Sequence, residues 1–419
     1  MLHFLYSTLF RLILPFVLFR LWWHGRRSPD TMDHWRERLG YIARQPLPVI
    51  WVHAVSVGET IAAAPLVREL QRRRPDVRIL MTAMTGTGRA RAQAMFGDSV
   101  DYAFSPYDTP GSVRRFLVRA RPRALVIMET EIWPNMIERT SAAGTPIFLI
   151  NARMSERSAK GYLRLHKASR DLLRHLDWIA AQAASDARRF EDIGALPSAV
   201  SVTGSIKFDV DISPDLRRRA GELRREMGDA RPVWIAASTH EGEDSQILDA
   251  HQRVLDAFPD ALLVLVPRHP ERFDDVAELI NRKKLSCYRR SAGQVGADCQ
   301  IYLGDTMGEL LMLYGAADLA FVGGSLIERG GHNPLEPAAW ETGVVSGPHV
   351  FNFSDIYDRL RKGEALKTVD DSASLAEVVL ECLGSESAGK TLGSNALAVV
   401  NANRGALNKV VEGILEKLK

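Results

Sequence analysis

The sequence predicts an α/β fold of two doubly wound halves, each a parallel sheet with helices on both faces. Short apolar, β-branched runs recur along the chain with helical stretches between them, the alternation that βαβ units produce. That alternation pauses once, at residues 204–231, and then restarts. The length of 419 residues also exceeds one ordinary core and fits two domains of about 150–200 residues.

The chain begins with a nearly continuous apolar stretch, Leu2 to Trp23, ending in Trp22-Trp23 and followed by Arg26-Arg27. About 20 apolar residues can cross a bilayer, and paired Trp belongs at its interface. No small-residue cleavage site follows, so residues 1–23 read as an uncleaved membrane anchor whose flanking arginines hold the body in the cytoplasm. Arg11 near the middle, Pro15 and the i, i+4 stripe His3, Ser7, Arg11 leave a second arrangement open. In it the helix lies in the interface with that stripe toward water.

A polar stretch leads to the first half, with strands expected at 48–54, 77–82, 124–128, 146–150 and 178–181, and helices at 61–73 and 109–120. Residues 209–227 read as a charged linker. Strands then resume at 233–237, 261–266, 319–322 and 344–346, and a last helix covers 396–419. The expected domains are therefore 30–205 and 230–419, with the ligand cleft between them.

Composition narrows the function. Residues 1–130 hold 19 Arg, no Lys and 10 acids within a chain of net charge +3. This basic first half faces either an anionic lipid or substrate, or only solvent. The arginines lack the interleaved aromatics of a nucleic-acid module, so no nucleic-acid partner is expected. Three scattered cysteines argue for a reducing compartment. The chain has no P-loop, His-Glu-x-x-His or Cys-x-x-Cys motif, and His53, His240, His269 and His332 stand isolated in sequence. Neither a metal nor a cofactor is expected.

Chemistry-bearing residues gather where strands end. Glu59, in Val52–Thr60, follows the first strand, where open α/β sheets place their ligands. It reads equally as a general base or as the N3 residue of a Ser56-x-x-Glu59 capping box. Glu129 and Glu131 follow another strand, with Glu129 the better placed to face a ligand and Glu131 fit to orient the loop. As helix-start acids they would instead serve the macrodipole. Lys207 in Gly204-Ser205-Ile206-Lys207-Phe208-Asp209 can steady a phosphate. In the second half, Pro267-Arg268-His269 offers phosphate and base contacts. Met307, Gly308 and Glu309 lie where Asp305–Glu309 opens a helix with free N–H groups. Asn333-Pro334-Leu335-Glu336 reads as N-cap to N3 of a helix behind a glycine loop that lets a ligand approach the backbone.

Nine segments in one order resemble the Kdo (3-deoxy-D-manno-octulosonic acid) transferase family: HAVSVGE (53–59), TAMTGTGR (82–89), ETEIWPN (129–135), NARMSERS (151–158), GSIKFD (204–209), PRHPERF (267–273), DTMGEL (305–310), FVGGSL (321–326) and GGHNPLEPAAW (330–340). The resemblance implies a GT-B glycosyltransferase of two Rossmann-like domains, inverting and independent of metal. It implies CMP-Kdo as donor, the lipid A precursor lipid IVA as acceptor, and the cytoplasmic face of the inner membrane as its place. It makes Glu59 the general base, and Glu129 and Lys207 the groups that steady the transition state. CMP contacts then fall on Pro267, Arg268, His269, Met307, Gly308, Glu309, Asn333, Pro334, Leu335 and Glu336.

Overall fold

The computed structural model of the chain describes residues 2–25, 34–293, 295–296 and 298–418. They form two compact units, residues 1–209 with 404–419 and residues 210–403.

The first unit holds a seven-stranded sheet. Its strands are β1 (Val49–His53), β2 (Arg78–Ala83), β3 (Asp101–Phe104), β4 (Pro122–Met128), β5 (Ile147–Ala152), β6 (Trp178–Ala181) and β7 (Val200–Val202). Their order is β3-β2-β1-β4-β5-β6-β7 and every pairing is parallel. Alternate side chains of β1 enter different cores. Ile50 and Val52 pack on one face, Val49 and Trp51 on the other. Both faces are thus covered, as a parallel sheet requires.

The second unit repeats the plan with β8 (Val233–Thr239), β9 (Leu262–Pro267), β10 (Cys287–Arg289), β11 (Ile301–Leu303), β12 (Leu319–Val322), β13 (Gly343–Ser346) and β14 (Leu366–Thr368). The order here is β10-β11-β9-β8-β12-β13-β14, again all parallel. Trp234 and Ala236 face one core, Val233, Ile235 and Ala237 the other. In each sheet the strand order reverses beside the first strand, between β1 and β4 and between β8 and β12.

Three expectations change. Residues 214–227 are not a linker but the helix Pro214–Met227, capped by Ser213, and its Ala220, Leu223 and Met227 pack with Val233 and Ile235. Its charges hid an apolar stripe at helical spacing. The expected last helix is two, Glu386–Asn403 and Ala406–Lys417, parted at Gly405 in the left-handed region (φ 93°). The second of these joins the first unit, although the sequence places it in the domain 230–419. Its Ala406, Val410, Val411 and Ile414 pack with Ile50 and Val52, and each such burial contributes roughly 1.5–3 kcal/mol for the larger side chains. Asp209 accepts the backbone N–H groups of Gly405 (2.7 Å) and Leu407 (2.8 Å), capping that helix. We expect Asp209→Ala to destabilise the first unit by about 1 kcal/mol. A urea titration should show the midpoint falling at unchanged slope.

The N-terminal helix spans Leu2–Gly25 with Pro15 inside. Ser7 does not face water, as the in-plane reading of its stripe has it. It is buried and donates to Asn135 Oδ1 (2.8 Å), while Tyr6 donates to Asp108 (2.9 Å). One stripe of the helix is therefore tied to the protein body, and Leu5, Leu9, Leu12, Phe16, Phe19 and Trp23 are exposed. No helix among the described residues is long and apolar enough to cross a membrane. The flank Arg26-Arg27 and the side chains of His3 and Trp22 lie outside the described residues.

Candidate active site

The first cluster forms where the strand order of the first sheet reverses, the crevice in which open α/β sheets take ligands. Glu59 enters the helix Val57–Arg73 just after β1. The cap predicted at Ser56 is present, since Ser56 Oγ accepts the Glu59 backbone N–H (3.3 Å). The Glu59 carboxylate, however, reaches past the cap to Val55, whose N–H donates to Oε2 (2.6 Å). Oε1 has only the 3.4 Å approach of Ser56 Oγ among the described residues. The capping box is therefore only half made: Ser56 caps the helix, but the Glu59 carboxylate does not return to the Ser56 N–H. With one oxygen anchored on Val55, the other can take a proton.

Electrostatics favour that second use. Burial, with added repulsion from Glu131 and Glu129, pushes the Glu59 carboxyl up to about 7 against the opposing Val55 and Ser56 hydrogen bonds. A base that titrates near neutrality is matched to deprotonating a hydroxyl.

Glu129 lies just beyond β4, neighbour of β1, and has a left-handed backbone (φ 57°). That conformation is uncommon away from glycine and collects at functional sites. Its Oε1 meets Lys207 Nζ at 2.8 Å, both side chains being about a quarter exposed (22% and 27%). The structure thus brings Glu59, Glu129 and Lys207 to one edge. Glu131 accepts the Trp133 indole N–H (2.7 Å) and so fixes the loop, while burial and Glu129 raise its pKa. The Lys207 segment is held by a residue the sequence reading passed over. Buried Asn151, at the end of β5, accepts the Ile206 N–H (3.2 Å) through Oδ1, and its Nδ2 has no partner among the described residues. His53 is a core residue, held down to about 4 by complete burial.

The second cluster occupies the matching reversal in the second sheet. Strands β11, β9, β8 and β12 are consecutive neighbours, so the loops after them share one edge. Those loops carry Met307–Glu309, Pro267–His269, His240–Glu243 and Gly323–His332. Three of the four histidines that seem isolated in sequence converge here. His240 and His332 lie edge to edge with nearly parallel planes (ring centroids 5.1 Å apart, planes at 4°), and His240 meets His269 edge-on (5.3 Å). Arg268 and His269 leave β9 as expected, and Arg268 N–H donates to Thr239 O (2.9 Å). Glu243, fully buried and absent from the sequence-based site, accepts the N–H groups of His240, Gly324, Ser325 and Leu326 at 2.7–3.0 Å. Burial raises its pKa against those four donors. Its place after β8, beside the reversal, was the available signal.

Other details depart from expectation. Gly323 serves the fold rather than a ligand, because a Cβ there would stand 2.7 Å from Ser238 O. Asn333 Oδ1 accepts from Leu335 N (3.1 Å) and Asn333 Nδ2 donates to Glu336 (3.2 Å). The helix is Leu335–Ala339, one residue later than predicted, with Pro334 before it. The helix after Gly308 is the five-residue Leu310–Tyr314, and Glu309 is held by Arg290 (3.0 Å) and Arg219 (3.3 Å), which lower its pKa together with Thr306. Met307 is exposed. No group of three or more His, Cys, Asp or Glu among the described residues is placed to hold a metal ion.

Comparison with known proteins adds four findings. Residues 33–210 match the family described as 3-Deoxy-D-manno-octulosonic-acid transferase (kdotransferase). A 3-deoxy-D-manno-octulosonic acid transferase of Haemophilus influenzae is 39% identical, over 98% of this chain and 97% of its own. One of Bordetella pertussis is 38% identical, over 98% of each chain. A solved UDP-GlcNAc 2-epimerase of Neisseria meningitidis, bound to UDP-GlcNAc, covers 88% of this chain and 100% of its own at a TM-score of 0.57 and 14% identity. That last likeness is one of fold.

Proposed function

The chain belongs to the Kdo transferase family, and from that premise we propose that it transfers Kdo from CMP-Kdo to lipid IVA, with Glu59 as general base. The observation that carries this reading is the half-buried Glu59 carboxyl, pushed up to about 7 beside the Glu129–Lys207 pair. A sugar hydroxyl of the acceptor gives its proton to Glu59 Oε1, and its oxygen attacks the anomeric carbon of Kdo. The bond from that carbon to the phosphate breaks, and its electron pair leaves with CMP. Attack opposite the leaving group inverts the anomeric centre in a single displacement, for which one base is enough. Lys207 and Glu129 steady the developing charge. No metal step enters.

The second unit takes the donor in this reading. Arg268 and His269 meet the phosphate, Pro267 shapes their turn, Met307–Glu309 line the same sheet edge, and Asn333–Glu336 hold the nucleoside. We expect CMP to bind measurably more tightly than UDP in calorimetry. Arg268→Ala should weaken CMP at least about tenfold, the loss of one charged hydrogen bond. Equal binding of UDP, or CMP binding indifferent to Arg268, would move the donor assignment elsewhere.

The exposed apolar face of Leu2–Gly25 and the arginine-rich first half support contact with an anionic membrane. The acceptor is a lipid, so we place the protein on the cytoplasmic face of the inner membrane, anchored through this helix.

A further inference from the structure

The edge-to-edge pair His240–His332 has a property that follows from its geometry. Their Nε2 atoms stand 2.9 Å apart. Such a contact holds one hydrogen, so one ring donates and the other presents its lone pair. With both rings neutral, the donating ring has a bare Nδ1. One further proton can enter there without breaking the contact. A second would set two N–H groups against each other, so the pair has room for one.

The groups facing the pair come from two elements. Arg268, His269 and Arg272 follow β9, and Arg329 belongs to the loop after β12. Glu243 accepts the His240 backbone N–H, but its carboxylate is also spent on the backbone of residues 324–326. Burial first, then these cationic and imidazole neighbours, hold His240 down to about 4 and His332 to about 3. The pair is therefore neutral at pH 7. An anion placed among the arginines cancels their repulsion and adds an attraction of its own.

We infer that His240 and His332 are further phosphate ligands whose shared hydrogen bond lets one proton from solvent enter the pair when a phosphate binds beside it. The inference rests on the CMP reading above and deepens it. A phosphate joined to a sugar carries one negative charge, and the released monoester carries two. A pair that gains its proton as negative charge accumulates stabilises the leaving state more than the bound donor, which is the condition for accelerating the step.

Calorimetry of CMP binding at pH 7, repeated in buffers of different ionisation enthalpy, counts the protons exchanged. The titration of CMP itself works in the opposite sense, since arginine contacts favour the phosphate dianion and release protons. Wild type should take up roughly half a proton or more per CMP. His240→Gln and His332→Gln should bind CMP with that uptake abolished, and cytidine should give none. If one variant does not fold, the other decides. Wild-type binding without uptake, or uptake persisting in the folded variants, overturns the proposal. Sulfate, which does not titrate in this range, separates the two readings. If CMP fails to bind, the donor assignment falls, and proton uptake with sulfate still supports the pair. Sulfate binding without uptake, or no binding, rejects it.

Discussion

Glu59→Gln is expected to lower Kdo transfer at least about a hundredfold while leaving CMP binding intact, because an amide keeps the shape of the side chain but cannot take the proton. The wild-type rate should carry a matching pH limb. Glu59 works only ionised, so transfer should fall as pH drops through about 7. The variant's residual rate should lack that limb. Stability should move the other way. A carboxyl raised above its usual value is costlier to keep folded once ionised, and the penalty grows as pH rises from the unfolded value through about 7. Glu59→Gln should therefore raise the melting temperature at pH 8 and do little at pH 4. A variant as active as wild type would leave Glu59 with its Val55 contact alone.

Lys207→Ala is expected to cost about a hundredfold to a thousandfold in kcat, in line with losing one preorganised charge at the reacting centre. The same change leaves the Glu129 carboxylate without its 2.8 Å partner. Glu129 already repels a charge on Glu59, so the pH limb should move above 7. A steady-state pH profile separates the two effects. Loss of rate with an unmoved limb would mean that Lys207 acts on the substrate and not through Glu129. An unchanged rate would confine the pair to holding the loop at 204–209.

How far the sequence could be read depended on burial. Strands β1, β4, β6, β8 and β12 were legible because both of their faces are covered, which writes them as unbroken apolar runs. The sheet-edge strands β3, β7, β10 and β14 were not. Each is three or four residues long and carries polar or charged residues such as Arg289, Lys367 and Ser201, so no run stands out from the loops. β11, although buried, is also only three residues long. The helix Pro214–Met227 was hidden by its arginines, and Asp209 gave no hint that it caps a helix nearly 200 positions away.

The site divides in the same way. Glu59, Glu129, Lys207, Arg268 and His269 each follow or accompany a readable strand or motif. His240 and His332 are 92 positions apart, and only the adjacency of β8 and β12 joins them. Glu243 looks like any surface acid until the backbone it organises is in view. Local chemistry announces residues that act where their own strand ends. It is silent on pairs assembled by strand order.

The most direct measurement is mass spectrometry of lipid IVA after incubation with the wild-type chain and CMP-Kdo, with CMP release followed in the same reaction. The account predicts lipid IVA heavier by whole Kdo residues, one CMP released for each, and the mass shift fixes how many are added. Unmodified lipid IVA in the presence of folded, CMP-binding protein would contradict it.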